Sequence, residues 1–131
     1  MARIEDFVRL IARLFLAGVF LYDAVIILKG YGAAIRYTES FGITGMILPL
    51  VLLLQLGGGA ALILGWQTRL IAPVFALFCL LTAIFFHRNL ANANEAIQFG
   101  KDFGLAGGFL LLFVAGPGRY SIGWRLGGKR K

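Results

Sequence analysis

The chain has one cysteine, one histidine and three prolines in 131 residues, and its acidic residues number six against thirteen basic ones. With Cys79 alone, neither an intrachain disulfide nor a CxxC redox pair can form, so an intrachain dithiol mechanism is excluded. One histidine and one cysteine far apart cannot close a metal site, and no metal motif is found. Charge is scarce altogether: 15% of the residues are charged, where a soluble domain carries about 25%. The glycine run Gly57 to Gly59 lies inside an apolar segment without a preceding strand or a GK[ST] ending, so it is not a phosphate loop. A net charge of +7 on a soluble protein would suggest nucleic acid. Here the basic residues gather at the ends of apolar runs and at the C-terminus, which fits membrane orientation and anionic lipid, so no nucleic-acid partner is expected. No cleavable signal peptide is expected either, because the first apolar run is long, contains Asp23 and lacks a small-residue cleavage site.

What the chain does have is apolar length. Hydrophobic residues make up 60% of it and its mean hydropathy is +0.84. The stretch from Met46 to Phe86 holds apolar runs of 20 and 17 residues joined by a short connector with Trp66, Gln67 and Arg69. About 20 apolar residues cross a bilayer core as a helix, so these runs read as a hairpin of two antiparallel neighbours against which the rest packs. The fold class expected is all-α: one domain, residues 1–131, forming a four-transmembrane-helix bundle with spans at about 10–28, 46–64, 70–86 and 96–116. Residues 1–9 are a short charged lead, and Arg13, one turn inside the first span, can snorkel to the headgroups. Residues 30–45 read as a loop with room for a short interfacial helix. Pro49 and Pro73 fall near the starts of their spans, where proline costs little.

Small residues recur every four positions at Gly57, Ala61 and Gly65 in the second span, and at Gly104 and Gly108 in the fourth. Such faces let helix backbones approach closely, within a bundle or between subunits, so a homo-oligomer stays open. Lysines and arginines number nine on the N-terminal segment, central connector and tail, and four on the other two loops (Lys29, Arg36, Arg88 and Lys101). That asymmetry puts both termini in the cytoplasm.

An ionisable residue inside a span is a functional hypothesis by default. Asp23 lies six residues before Lys29, roughly 9 Å below the outer end of its helix and on a different face from that lysine. It therefore needs a partner from elsewhere: His87 or a basic residue of the outer loops, Arg36 or Arg88. Gln55 lies near mid-membrane. His87 ends the third span on the same side as Asp23, with Glu95 and Asp102 nearby in the next segment. Asp23, Gln55, His87 and Asp102 are the ligand-binding candidates. A neutral histidine can donate to a quinone carbonyl, and a nearby carboxylate can exchange the proton. The simpler reading is a solvated His87 and an Asp23 neutralised by an arginine. Cys79 reads as a small buried hydrophobe. No catalytic residue is assigned.

The blocks LGGGAALILGWQTR (Leu56 to Arg69), AIFFH (Ala83 to His87), KDFGLAGGFLLLF (Lys101 to Phe113) and GPGRYS (Gly116 to Ser121), in that order, resemble the DoxX family of small bacterial four-helix membrane proteins. The resemblance implies an inner-membrane location. It also implies association with quinone-dependent or oxidative-stress redox complexes, known for some relatives. The chain departs from the family pattern at four points. Gln55 stands where many members carry an acid, Arg88-Asn89-Leu90 stand where aromatics follow the histidine, Asp102 stands for an asparagine, and Asp23 falls where a small polar residue is usual. Two functions are expected in competition. One is a redox-associated membrane subunit with no intrinsic cofactor that takes a quinone or lipid-like ligand between its helices. The other is a non-catalytic scaffold in the lipid bilayer that docks a redox enzyme complex. Small-solute transport ranks behind both.

Overall fold

The computed structural model describes residues 2–87 and 89–127. Among them there is no strand, and four helices are long and apolar enough to cross a membrane. The first, α1, is Ala2–Lys29, and a short helix α2 (Tyr31–Glu39) follows it. The second span, α3, is Gly45–Leu64. The third and fourth are α4 (Thr68–Phe86) and α5 (Ala93–Ala115), and a final helix α6 is Ile122–Gly127. Arg88 and residues 128–131, including Lys129, Arg130 and Lys131, lie outside the described residues.

The charged lead is helical and runs on into the first span. Glu5, Asp6 and Arg9 sit at helical i,i+3 and i,i+4 spacing, and Arg9 stands 3.6 Å from Asp6 and 4.0 Å from Glu5. Residues 31–39 form the short helix for which the 30–45 segment left room, and α5 begins at Ala93 rather than near Ala96. Asn92 explains that start. Its side chain accepts from the backbone N–H groups of Asn94 and Glu95, capping the helix.

Packing departs from the expected hairpin. α1 lies on the second half of α3 and on α5, and α4 runs along α5. The arms of the α3–α4 hairpin touch where Gly58 meets the Phe75 ring, and much of their length is separated by an open cleft. The core joins α1, α4 and α5. Phe20, Phe75 and Phe109 pack with ring centroids 4.8, 5.6 and 5.1 Å apart, among buried Ala17, Ala72, Ala76 and Ala106. Small side chains bring the helices close enough for the three rings to fill the centre.

The glycine faces are rearranged too. A Cβ on Gly57 or Gly104 would meet nothing within 4 Å, so these two are not contact positions within the chain. Gly108 faces Leu16, and Ala61 is buried. Close approaches are also made by Gly58 against Phe75 and Gly59 against Leu21, where a Cβ would come within 3 Å of its neighbour. A single π-helical turn at Leu54–Gly58 accounts for the shift, because one wide turn carries the following residues to a different face. Gly65 ends α3 in the left-handed conformation, with φ +74°, as a cap, and it is also a close contact, since an added Cβ would run into Ser121 and the Arg13 side chain.

Arg13 does not snorkel. Its side chain is fully buried. Its Nη1 donates to the carbonyls of Leu62 and Ile63, each at 2.9 Å, and its Nη2 donates to the carbonyl of Tyr120. The last carbonyls of a helix have no partner within it, and the guanidinium fork supplies donors for two of them while holding the C-terminal block against α3. Asp6 secures the same block, accepting from the backbone N–H of Arg119 at 3.2 Å. Both ends of the described chain therefore lie at one end of the bundle, called here the basic end. His87 marks the other, the histidine end.

Candidate ligand cleft and polar cluster

The hairpin arms enclose a cleft of about 1300 Å³. It runs from Trp66 and Leu70 at the basic end to Tyr37, His87 and Gln98 at the histidine end. Its walls are almost wholly apolar, with Leu50, Leu53 and Leu54 of α3 facing Val74, Phe78 and Leu81 of α4. Over the 19 residues of α4, the groove is about 28 Å long at 1.5 Å per residue. Asp23 of α1 opens into it and is exposed there. Gln55 of α3 lies beside Asp23 and is 1% exposed. Its Nε2 donates to Asp23 Oδ2 at 2.6 Å, while its Oε1 has no partner among the described residues. Among the described residues the partner of Asp23 is thus Gln55, not His87 or Arg36, and Arg88 lies outside them. The π-helical turn that moves the glycines also contains Gln55.

The second polar group forms at the histidine end. His87 follows α4, and its backbone N–H donates to the Ala83 carbonyl. Its Nδ1 lies 3.1 Å from Glu95 Oε2 and its Nε2 lies 3.9 Å from Asp102 Oδ2. Glu95 and Asp102 are seven residues apart, two helical turns, so α5 presents both on one face. Gln98 shares that face at i+3 and enters the cleft lining. The buried Asp102 Oδ2 has no hydrogen-bond partner among the described residues.

An aromatic cluster covers this end. Tyr37 stacks on Phe86 at 5.7 Å, and Phe41 packs edge-on against both. Burial and, next, the Glu95 charge push the Tyr37 phenol above its ordinary value, so the hydroxyl keeps its proton. Among the described residues, no group of three or more His, Cys, Asp or Glu side chains could hold a metal ion. Cys79 is buried and free in the core.

The four candidates thus fall into two groups, Asp23 with Gln55 and His87 with Asp102 and Glu95, on either side of the cleft's histidine end. Sequence reasoning missed Tyr37 and Gln98 in the lining. The i+3, i+7 spacing of Gln98 and Asp102 from Glu95 was the signal for Gln98. Tyr37 left none, since its position depends on how the short helix at 31–39 packs on Phe86, which is not a local property.

Comparison with known proteins fits this architecture. The model of the DoxX family matches residues 8–88. Inner membrane protein YqjF of Escherichia coli K12 is 42% identical over 122 residues, covering 93% of this chain and 94% of that protein. Inner membrane protein YphA of the same organism is 28% identical over 120 residues, covering 86% of each. No solved structure matches the chain. By the family match over most of its length, and by a four-span helical fold with relatives in the inner membrane, the chain belongs to the DoxX family.

Proposed function

We propose that this protein is a redox-associated subunit of the bacterial inner membrane that holds a lipid-like molecule of the quinone kind in the α3–α4 cleft. The cleft itself carries the reading: about 1300 Å³ of almost wholly apolar groove, open along its length, with Asp23 and His87 in its lining. Small-molecule sites combine apolar walls with a few polar groups that fix orientation. The tail lies along the leucines of α3 and α4, and the head rests at the histidine end beside Asp23 and Gln98. The nine-to-four basic asymmetry puts both termini in the cytoplasm, so the head faces the periplasmic half of the bilayer.

The test is extraction of the purified protein and mass spectrometry of what comes off, beside Gly57→Phe. Gly57 lines the cleft and has open space around it, so a phenyl ring obstructs the groove without a backbone clash. Near-stoichiometric quinone on the wild type and little on Gly57→Phe is the expected result. Equal traces on both would end the proposal.

A docking role for the same subunit has its own support. Gly100, Gly104 and Gly107 on α5 are exposed with no neighbour within 4 Å of an added Cβ. They leave a shallow face that a helix of a redox partner or a second copy can approach.

A further inference from the structure

Donors and acceptors are unequally distributed around the cleft. Asp23 brings two carboxylate oxygens. Gln55 Nε2 reaches Oδ2, and among the described residues no donor reaches Oδ1 and no cation pairs with the charge. The hydroxyl protons of Thr38 and Thr82, both lining residues, are directed at the Ala34 and Phe78 carbonyls of their own helices, each at 2.8 Å, leaving only lone pairs for a ligand. His87 has Nδ1 engaged with Glu95 and Nε2 turned toward Asp102. Beside the cleft two buried oxygens, Gln55 Oε1 and Asp102 Oδ2, have no hydrogen-bond partner among the described residues. Against this, the donors in the lining at the histidine end, among the described residues, are the Tyr37 hydroxyl and the Gln98 amide.

We propose that the cleft selects an amphiphile whose head donates hydrogen bonds, either the hydroxyls of a hydroquinone or a protonated alkyl amine. It rejects the same tail bearing a carbonyl or carboxylate head. This rests on the reading of the cleft as a lipid-like ligand site, and within the quinone class it assigns the reduced form. An acceptor head adds lone pairs to a surface already rich in them and leaves its own unmet, at the cost of a desolvated, unpaired group. A carboxylate head also meets the like charge of Asp23, an element of rejection and not only of weaker attraction. Anionic phospholipids of the surrounding bilayer are poor competitors for the same reason.

Four probes with one tail decide it: decylhydroquinone under anaerobic conditions, decylbenzoquinone, decylammonium and decanoate. Each is titrated into the purified full chain in neutral detergent. His87 is the sole histidine, so isotope-labelled histidine gives one imidazole signal to follow by NMR, and Trp66 fluorescence gives a second readout. The hydroquinone, the ammonium, or both bind at least about tenfold more tightly than the quinone and decanoate, the ratio one unmade hydrogen bond of about 1.4 kcal/mol produces. The two arms separate the sources. Asp23→Asn, which keeps a partner for Gln55, weakens ammonium binding more than hydroquinone binding if charge dominates, and both alike if the hydrogen bond does. Equal binding of all four probes, or preference for the quinone or decanoate, overturns the donor rule while leaving the cleft a lipid site. No binding of any probe, with the wild type indistinguishable from Gly57→Phe, overturns the cleft reading and the rule with it.

Discussion

Arg13 offers the most direct test of how the bundle is held. Replacing it with methionine keeps an apolar stem of similar reach and removes the guanidinium. Three carbonyls then lose a donor: Leu62, Ile63 and Tyr120. They are not equivalent. Leu62 is fully buried but its oxygen keeps the backbone N–H of Gly65 at 3.1 Å, whereas Ile63 and Tyr120 are exposed enough for water to replace part of the loss. A buried acceptor left unpaired costs roughly 1–3 kcal/mol, so three partial losses come to about 2–4 kcal/mol. Returning a desolvated charge to water offsets some of this, which favours the lower end. Arg13→Lys keeps the charge but has one nitrogen in place of a planar fork, so it cannot serve both the end of α3 and Tyr120. It should fall between the other two. Equilibrium unfolding in mixed micelles measures all three proteins. If Arg13→Met unfolds within about 1 kcal/mol of the wild type, the guanidinium is at the headgroups and the clamp does not exist.

Orientation can be read with C-terminal reporter fusions: the cytoplasm-active reporter should work and the periplasm-active one should be silent, and the reverse pattern would invert the assignment of the histidine end. Glycine substitutions should divide by environment. Gly58→Ala meets the Phe75 ring 2.8 Å from the new methyl and should lose about 1–3 kcal/mol in mixed-micelle unfolding. Gly104→Ala has open space and should lose nothing, or gain up to about 1 kcal/mol from helix propensity. Equal effects at the two sites would contradict the packing described.

How far the sequence revealed this molecule depends on how local each signal is. The four spans were readable because a span is a run of apolar residues, a property of consecutive positions. His87 could be linked to Glu95 and Asp102 because two of the three share a helix face at a spacing of seven. The glycine faces misled for a definite reason. A period of four assumes an unbroken α-helix, and the π-helical turn at Leu54–Gly58 moves the contact from Gly57 to Gly58 and Gly59. Arg13 was misread because snorkelling is the local solution for an arginine near a span end. The carbonyls that hold it come from residues 49, 50 and 107 positions away. The cleft was least visible of all. A short connector dictates that two helices are joined and antiparallel, but not that α4 packs on α5 rather than on its own hairpin partner.

The Asp23–Gln55 contact gives a physical account of the two departures from the family pattern. An acid common at position 55 is absent, an acid appears at 23, and the two side chains touch at 2.6 Å. In this chain the carboxylate stands on α1 and its donor on α3. Exchanging them deliberately should therefore be tolerated. Gln55→Glu alone puts two carboxylates in contact and removes the donor, so the pair must share a proton or separate, and stability falls. Asp23→Asn alone keeps a neutral hydrogen bond and loses little. The double variant restores a charge-assisted bond in reverse. It should be more stable than Gln55→Glu by a coupling of roughly 0.5–3 kcal/mol, the range found for side chains in contact. Unfolding of the four proteins in mixed micelles gives the cycle. Additive effects would mean that the two groups do not interact, and the polar wall of the cleft would have to be rebuilt from other residues.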